Sequence, residues 1–227
     1  MVEFQVNGDR ARGYLAVPAS GEGPGILVIQ EWWGLVPQIK RVCDRLAAEG
    51  FTALAPDLFR GEIAEHTEMD KAEELMNALP PARAARDMSA AIDYLLANPA
   101  VRGDAVGVLG FCMGGMLAFL ISAQEGSRVH ATVAFYGAPL GEGAPDVSGL
   151  ASSVLGHFAE DDAFFPAPAV RELEATLKGL GKDITFHFYA GRGHGFANEE
   201  DPLGTHDPEH TAEAWARTIP FLHETLD

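Results

Sequence analysis

Basic side chains are scarce in this 227-residue chain: 16 Lys and Arg stand against 33 Asp and Glu, a net charge of −17. Such a surface repels phosphate backbones and anionic lipid, so the footprint of a nucleic-acid binder is missing and small-molecule chemistry is favoured. Cysteine is nearly absent as well, with Cys43 and Cys112 alone. No disulfide scaffold is expected, and both thiols are expected to be free in a reducing, cytoplasmic setting. Long apolar runs are lacking: segments 25–29 and 116–121 fall far short of the ~20 residues a membrane helix needs. Met1 leads into Val2-Glu3-Phe4 without the basic and apolar segments of a secretion signal. Repeats, low-complexity tracts and long linkers are also missing, so one domain over residues 1–227 is expected, with monomer and homodimer both open.

What is present is a regular alternation of strand-like and helix-like runs, the pattern of βαβ units around a largely parallel sheet with helices on both faces. The first two strands, 2–6 and 11–17, are split by Asn7-Gly8-Asp9 and read as an antiparallel hairpin. Strands are expected at 25–29, 51–55, 105–109, 131–136, 152–158 and 184–189. Helices are expected at 37–48, 82–96, 116–123, 167–177 and 209–223, with an acidic segment over 65–76 and loops over 141–149 and 198–208. An α/β-hydrolase fold accommodates this order.

Within that frame, Gly110-Phe111-Cys112-Met113-Gly114 lies between a strand and a helix. A nucleophile on such a strained turn needs small residues two before and two after it, so that the backbones can pass. The N-terminus of the next helix favours thiolate over thiol. Packing alone explains a cysteine between glycines equally well, Cys112 then being a small buried hydrophobe. Partners shift the balance. In this fold the chain order is nucleophile, acid, histidine, on loops after successive later strands. His194, in the glycine-rich run Gly191-Arg192-Gly193-His194-Gly195-Phe196, follows a strand in that order. Glu160, Asp161 and Asp162 compete for the acid, and such a run also suits a solvated loop. Of the other histidines, His66, His206, His210 and His223 read as solvated, and His130, His157 and His187 as structural. His206-Asp207 with His210 imitates a metal site without supporting spacing, so neither metal nor other cofactor is expected.

These residues, together with Gln30-Glu31-Trp32-Trp33-Gly34, Ala55-Pro56-Asp57-Leu58, Tyr136-Gly137 and Asp162-Ala163-Phe164-Phe165-Pro166, resemble the dienelactone hydrolase (carboxymethylenebutenolidase) family over nearly the whole chain. The resemblance implies an ester or lactone hydrolase acting on a small molecule, with Cys112 as nucleophile and His194 as base and acid. It implies Asp162 as the orienting carboxylate, because the family's acid lies four residues before such a proline. Glu31 resembles a glutamate that hydrogen-bonds to the thiol and helps it ionise. The backbone N–H groups of Met113 and Trp32 would form the oxyanion hole. Trp32, Trp33, Tyr136 and Phe196 would wall the pocket, although aromatics at such places are as often core. One departure stands out. Members acting on dienelactone hold its carboxylate with arginines, one ahead of the long helix and one four residues after the histidine. The second position is Asn198 here, and the first region carries only Lys71. Arg60, Arg83 or Arg86 would have to substitute; otherwise a less polar ester, thioester or neutral lactone is the expected substrate. Two other classes remain open at this point: a small-ligand binding or sensor protein on the same fold, and a thiol redox role, for which no CxxC pairing exists.

Overall fold

The computed structural model describes residues 1–141 and 143–227; residue 142, in the expected loop 141–149, lies outside the described residues. Strands β1 (Val2–Val6) and β2 (Asp9–Ala16) form an antiparallel hairpin. Asn7 and Gly8 link them with φ of 47° and 94°, the positive pair that a two-residue turn matched to strand twist requires. β2 then pairs antiparallel with β4 (Thr52–Pro56). From there β3 (Gly23–Ile29), β5 (Val101–Phe111), β6 (Val129–Phe135), β7 (Ser153–Ala159) and β8 (Ile184–Tyr189) continue in parallel. The resulting sheet has eight strands in the order β1-β2-β4-β3-β5-β6-β7-β8. The mostly parallel sheet with an antiparallel hairpin at its edge is the architecture expected.

Alternation along each central strand divides its side chains between two cores. Ile26, Val28, Leu109, Phe111, Val133 and Phe135 face α1 (Pro37–Ala48) and α6 (Pro208–Leu226). Leu27, Ile29, Val106 and Val108 face α3 (Pro81–Leu96) and α4 (Met113–Glu125). Further along this second face, Val154 and Phe158 pack on α5 (Ala167–Gly179). Both faces are therefore covered, and the central strands read as continuous apolar runs, as parallel strands do.

Most elements differ from their expected bounds by a few residues, and three of the departures have a clear physical cause. β5 begins at Val101 instead of 105, because Gly23 and Pro24 of β3 pair with Val101 and Arg102 while the side chains of Arg102 and Asp104 stand in solvent. The acidic segment contains a helix, α2 (Met69–Asn77), which buries only Ala72 fully. Most consequential, α4 starts at Met113 rather than 116, so Gly114 and Gly115 are helical despite their poor propensity. A Cβ at Gly114 would come within 2.5 Å of the Ile29 and Gln30 carbonyl oxygens, and one at Gly115 within 2.9 Å of Gly137 Cα. Close helix–strand approach overrides intrinsic preference there.

Candidate active site

Cys112 is the single residue between β5 and α4. It adopts φ 53° and ψ −118°, a region a non-glycine residue enters only when its surroundings impose it. Its N–H donates to Phe135 O at 2.9 Å, and its own carbonyl accepts from Gly115 N–H at 2.9 Å. These bonds hold the turn from both sides. The half-buried side chain emerges at the C-terminal edge of the sheet.

His194 and Asp162 reach the same edge from the loops after β8 and β7. His194 Nδ1 lies 2.8 Å from Asp162 Oδ2, and both side chains are buried. The other Asp162 oxygen accepts from Phe164 N–H at 2.8 Å and Phe165 N–H at 2.9 Å. This carboxylate is therefore fixed by its own turn before it meets the histidine. Its rivals go elsewhere: Glu160 pairs with Arg171, and Asp161 is exposed. Cys112 and His194 line the same cavity. Burial opposes charging His194, but its hydrogen bonds to Asp162 and Cys112 and their charges outweigh that penalty and push its pKa up to about 10.

Glu31 sits just after β3 and is nearly inaccessible. Among the described residues its hydrogen bonds come from Tyr136 Oη to Oε1 at 2.9 Å and from Asn198 Nδ2 to Oε2 at 2.8 Å, with the thiol outside this set. Burial raises the Glu31 pKa, and the two donors with His194 and His66 partly restrain it. The Asn198 amide is oriented by its other end, where Oδ1 accepts from Glu200 N–H at 3.0 Å. Met113 opens α4, so its N–H has no acceptor within the helix, and Trp32 follows Glu31 at the end of β3.

Cys112, His194, Trp32 and Met113 share a cavity of about 880 Å³. Of the aromatics expected to wall it, Trp32 lines it and the other three do not. Trp33, Tyr136 and Phe196 are fully buried one layer below, where Tyr136 lies edge-on to His194 with centroids 5.2 Å apart. They support the site from the core because their loops turn inward toward α1 and α6. The lining instead comes from Phe164 and Phe165, from α4 through Met116, Leu117 and Leu120, and from α2. An acidic, loosely patterned stretch hid α2's contribution, whereas the i, i+4 spacing of Met116 and Leu120 was open to view.

The substitute arginines are likewise elsewhere. Arg60 grips Asp87 with two 2.9 Å bonds from Nη2 and donates from Nη1 to Arg10 O at 2.7 Å. Neither Arg83 nor Arg86 lines the cavity. Asp207 caps α6, accepting from His210 N–H at 2.8 Å and from Arg192 Nη1 at 2.5 Å. His66 is half-buried against Trp33, with centroids 5.0 Å apart, and His130 is exposed; their environments are the reverse of those read from sequence.

The family model for the dienelactone hydrolase family matches residues 11–226. The chain belongs to the dienelactone hydrolase family. Relatives it is similar to include Protein usf of Aquifex pyrophilus, 35% identical over 100% of this chain and 98% of the relative. Carboxymethylenebutenolidase 1 of Cupriavidus pinatubonensis is 30% identical over 95% of this chain and 92% of its own length. A solved Klebsiella pneumoniae protein, provisionally designated a dienelactone hydrolase, superposes with a TM-score of 0.84 at 26% identity, covering 98% of this chain and 97% of that one. This dienelactone hydrolase family member is thus a carboxylic ester or lactone hydrolase on an α/β-hydrolase fold. Among its described residues no helix is long and apolar enough to cross a membrane.

Proposed function

We propose that this enzyme hydrolyses its ester or lactone through a Cys112–His194–Asp162 triad and a thioester intermediate. The observation that carries the reading is His194 held at 2.8 Å by Asp162 while Cys112 lines the same cavity. In this mechanism the reactive form is an imidazolium beside a thiolate, because the thiolate is the nucleophilic form of sulfur. The thiolate attacks the carbonyl carbon, forming a C–S bond. The negative oxygen that develops is met by the Met113 and Trp32 N–H groups. The tetrahedral species collapses with cleavage of the C–O bond, and His194 gives its proton to the leaving oxygen. A water then yields a proton to His194 as its oxygen attacks the thioester carbon. The C–S bond breaks, releasing the acid and restoring the thiolate and imidazolium. Asp162 keeps the ring in the useful tautomer and balances its charge throughout.

The test is a Cys112→Ala protein assayed on aryl esters, alongside acid-quenched mass spectrometry of the parent. Loss of turnover in the variant and an acyl adduct on the Cys112 peptide are expected. A variant as fast as the parent overturns the reading. A parent that is stabilised by esters yet cleaves none would make this a binding protein on a hydrolase fold.

A further inference from the structure

The cavity over Cys112 has a charge pattern of its own. Met69, Asp70, Glu73 and Met76 line it, all from α2, and their spacing sets them along one helical face. Met116, Leu117 and Leu120 stand on α4, so the body of the cavity is apolar. Among the described residues that line it there is no Lys or Arg, and the acidic side chains are Asp70 and Glu73. Both are exposed, which puts them where the cavity meets solvent. Of the nearby cations, Lys71 lies 3.8 Å from Glu68 and Arg60 is locked on Asp87, while Arg83 and Arg86 on α3 act on the Asp87 charge and do not line the cavity.

We propose that Asp70 and Glu73 set the charge specificity of this site, admitting neutral esters or lactones with an apolar body of several carbons and turning away those that carry a carboxylate. The inference rests on the hydrolytic reading of Cys112. A substrate carboxylate entering past α2 meets like charge with no cation among the described lining side chains to offset it, and a low-dielectric wall on the far side reduces screening. The net charge of −17 adds repulsion of the same sign at longer range. Apolar substrates meet neither penalty and gain by leaving water for the methionines and leucines. Because the two acids are exposed, salt weakens their effect, with a Debye length of about 8 Å at physiological ionic strength.

The experiment compares two esters of matched length, p-nitrophenyl octanoate and the p-nitrophenyl monoester of suberic acid, whose acyl chain ends in a carboxylate. The quantity read is the ratio of their kcat/KM values within each protein. For the parent at low salt the ratio is expected to favour octanoate by about tenfold or more, and to shrink several-fold at high salt. The Asp70→Asn/Glu73→Gln variant is expected to lower the low-salt ratio about fivefold. The Glu22→Gln/Asp104→Asn variant, with the same charge change at the N-terminal ends of β3 and β5, is expected to keep the parent ratio. A parent ratio near one overturns the inference, as does a ratio that ignores salt, or α2 and control variants that behave alike. The salt series on the parent decides the matter even if the α2 variant does not fold. Octanoate cleaved without charge discrimination removes this inference alone; no ester cleaved by the parent removes the catalytic reading and this inference with it.

Discussion

Asn198 donates from Nδ2 to Glu31 Oε2 at 2.8 Å, so a buried carboxylate near the candidate histidine is held by a neutral amide rather than by a cation. Tyr136 supplies the second donor at 2.9 Å. Neither donor carries charge, so burial keeps the upper hand and the Glu31 pKa is raised. An arginine at this position would act the other way, favouring the carboxylate by its charge.

Replacing Asn198 by Asp exchanges that donor for a second carboxylate of nearly the same shape. Two buried acids in contact cannot both ionise cheaply, so the pair's folded pKa rises above its unfolded value. Its contribution to stability is then complete at acid pH and lost as pH rises. Asn198→Asp is expected to cost about 2–4 kcal/mol near pH 7.5 and less near pH 5, measured by urea denaturation at the two pH values. An equal cost at both would show that the pair does not share a buried environment.

Asp162→Asn retains the shape of the acid and removes its charge from His194. With His194 pushed up to about 10 in the parent, imidazolium persists across neutral pH, and kcat/KM is expected to fall on the alkaline side near that value. The variant is expected to lose about 10²–10⁴-fold in kcat and to move the alkaline limb downward, because burial then dominates. Stability moves in parallel. The folded pKa of His194 exceeds the unfolded value of about 6.5, so its contribution is full below that pH and lost as pH rises toward 10. A narrower alkaline range is expected for Asp162→Asn in thermal melts across pH.

Gly114→Ala asks whether the elbow tolerates one methyl group. The added Cβ would lie 2.5 Å from the carbonyl oxygens of Ile29 and Gln30, both backbone, so α4 or β3 must shift. A loss of about 2–4 kcal/mol in urea unfolding is expected, although alanine favours helix. A stabilised Gly114→Ala protein would contradict the close approach.

Arg60→Ala tests whether the arginine nearest the long helix serves structure or substrate. Its guanidinium holds both oxygens of Asp87, a side chain only 2% exposed. Removing it strands a buried charge, and a loss of about 2–4 kcal/mol is expected, discounted because Arg60 is partly exposed. Kinetics on the folded protein are expected to show no selective loss toward carboxylate-bearing esters; a selective loss would place Arg60 in substrate binding.

Much of the architecture was legible locally. Apolar runs separated by turn residues marked the strands, and Asn7-Gly8 marked the hairpin, because hydrogen-bonding period and positive φ are short-range demands. The order Cys112, Asp162, His194 was legible too, since each candidate follows a strand and parallel strands deliver such loops to one edge. The start of α4 was misread because helical Gly114 and Gly115 obey packing rather than propensity. Trp33, Tyr136 and Phe196 were misplaced because an aromatic's residue type does not say which side of a loop it faces.

The sequence by itself determined the fold class, the acidic character of the surface and the residues able to carry the chemistry. These depend on periodicity, composition and the neighbours of each residue in the chain. Only the tertiary structure decided that Asn198 and Tyr136 hold Glu31, and that α2 brings Asp70 and Glu73 to the cavity. Those outcomes depend on where distant segments converge. A hydrogen bond or a repulsive charge acts over a few ångströms of space, whatever length of chain separates its partners.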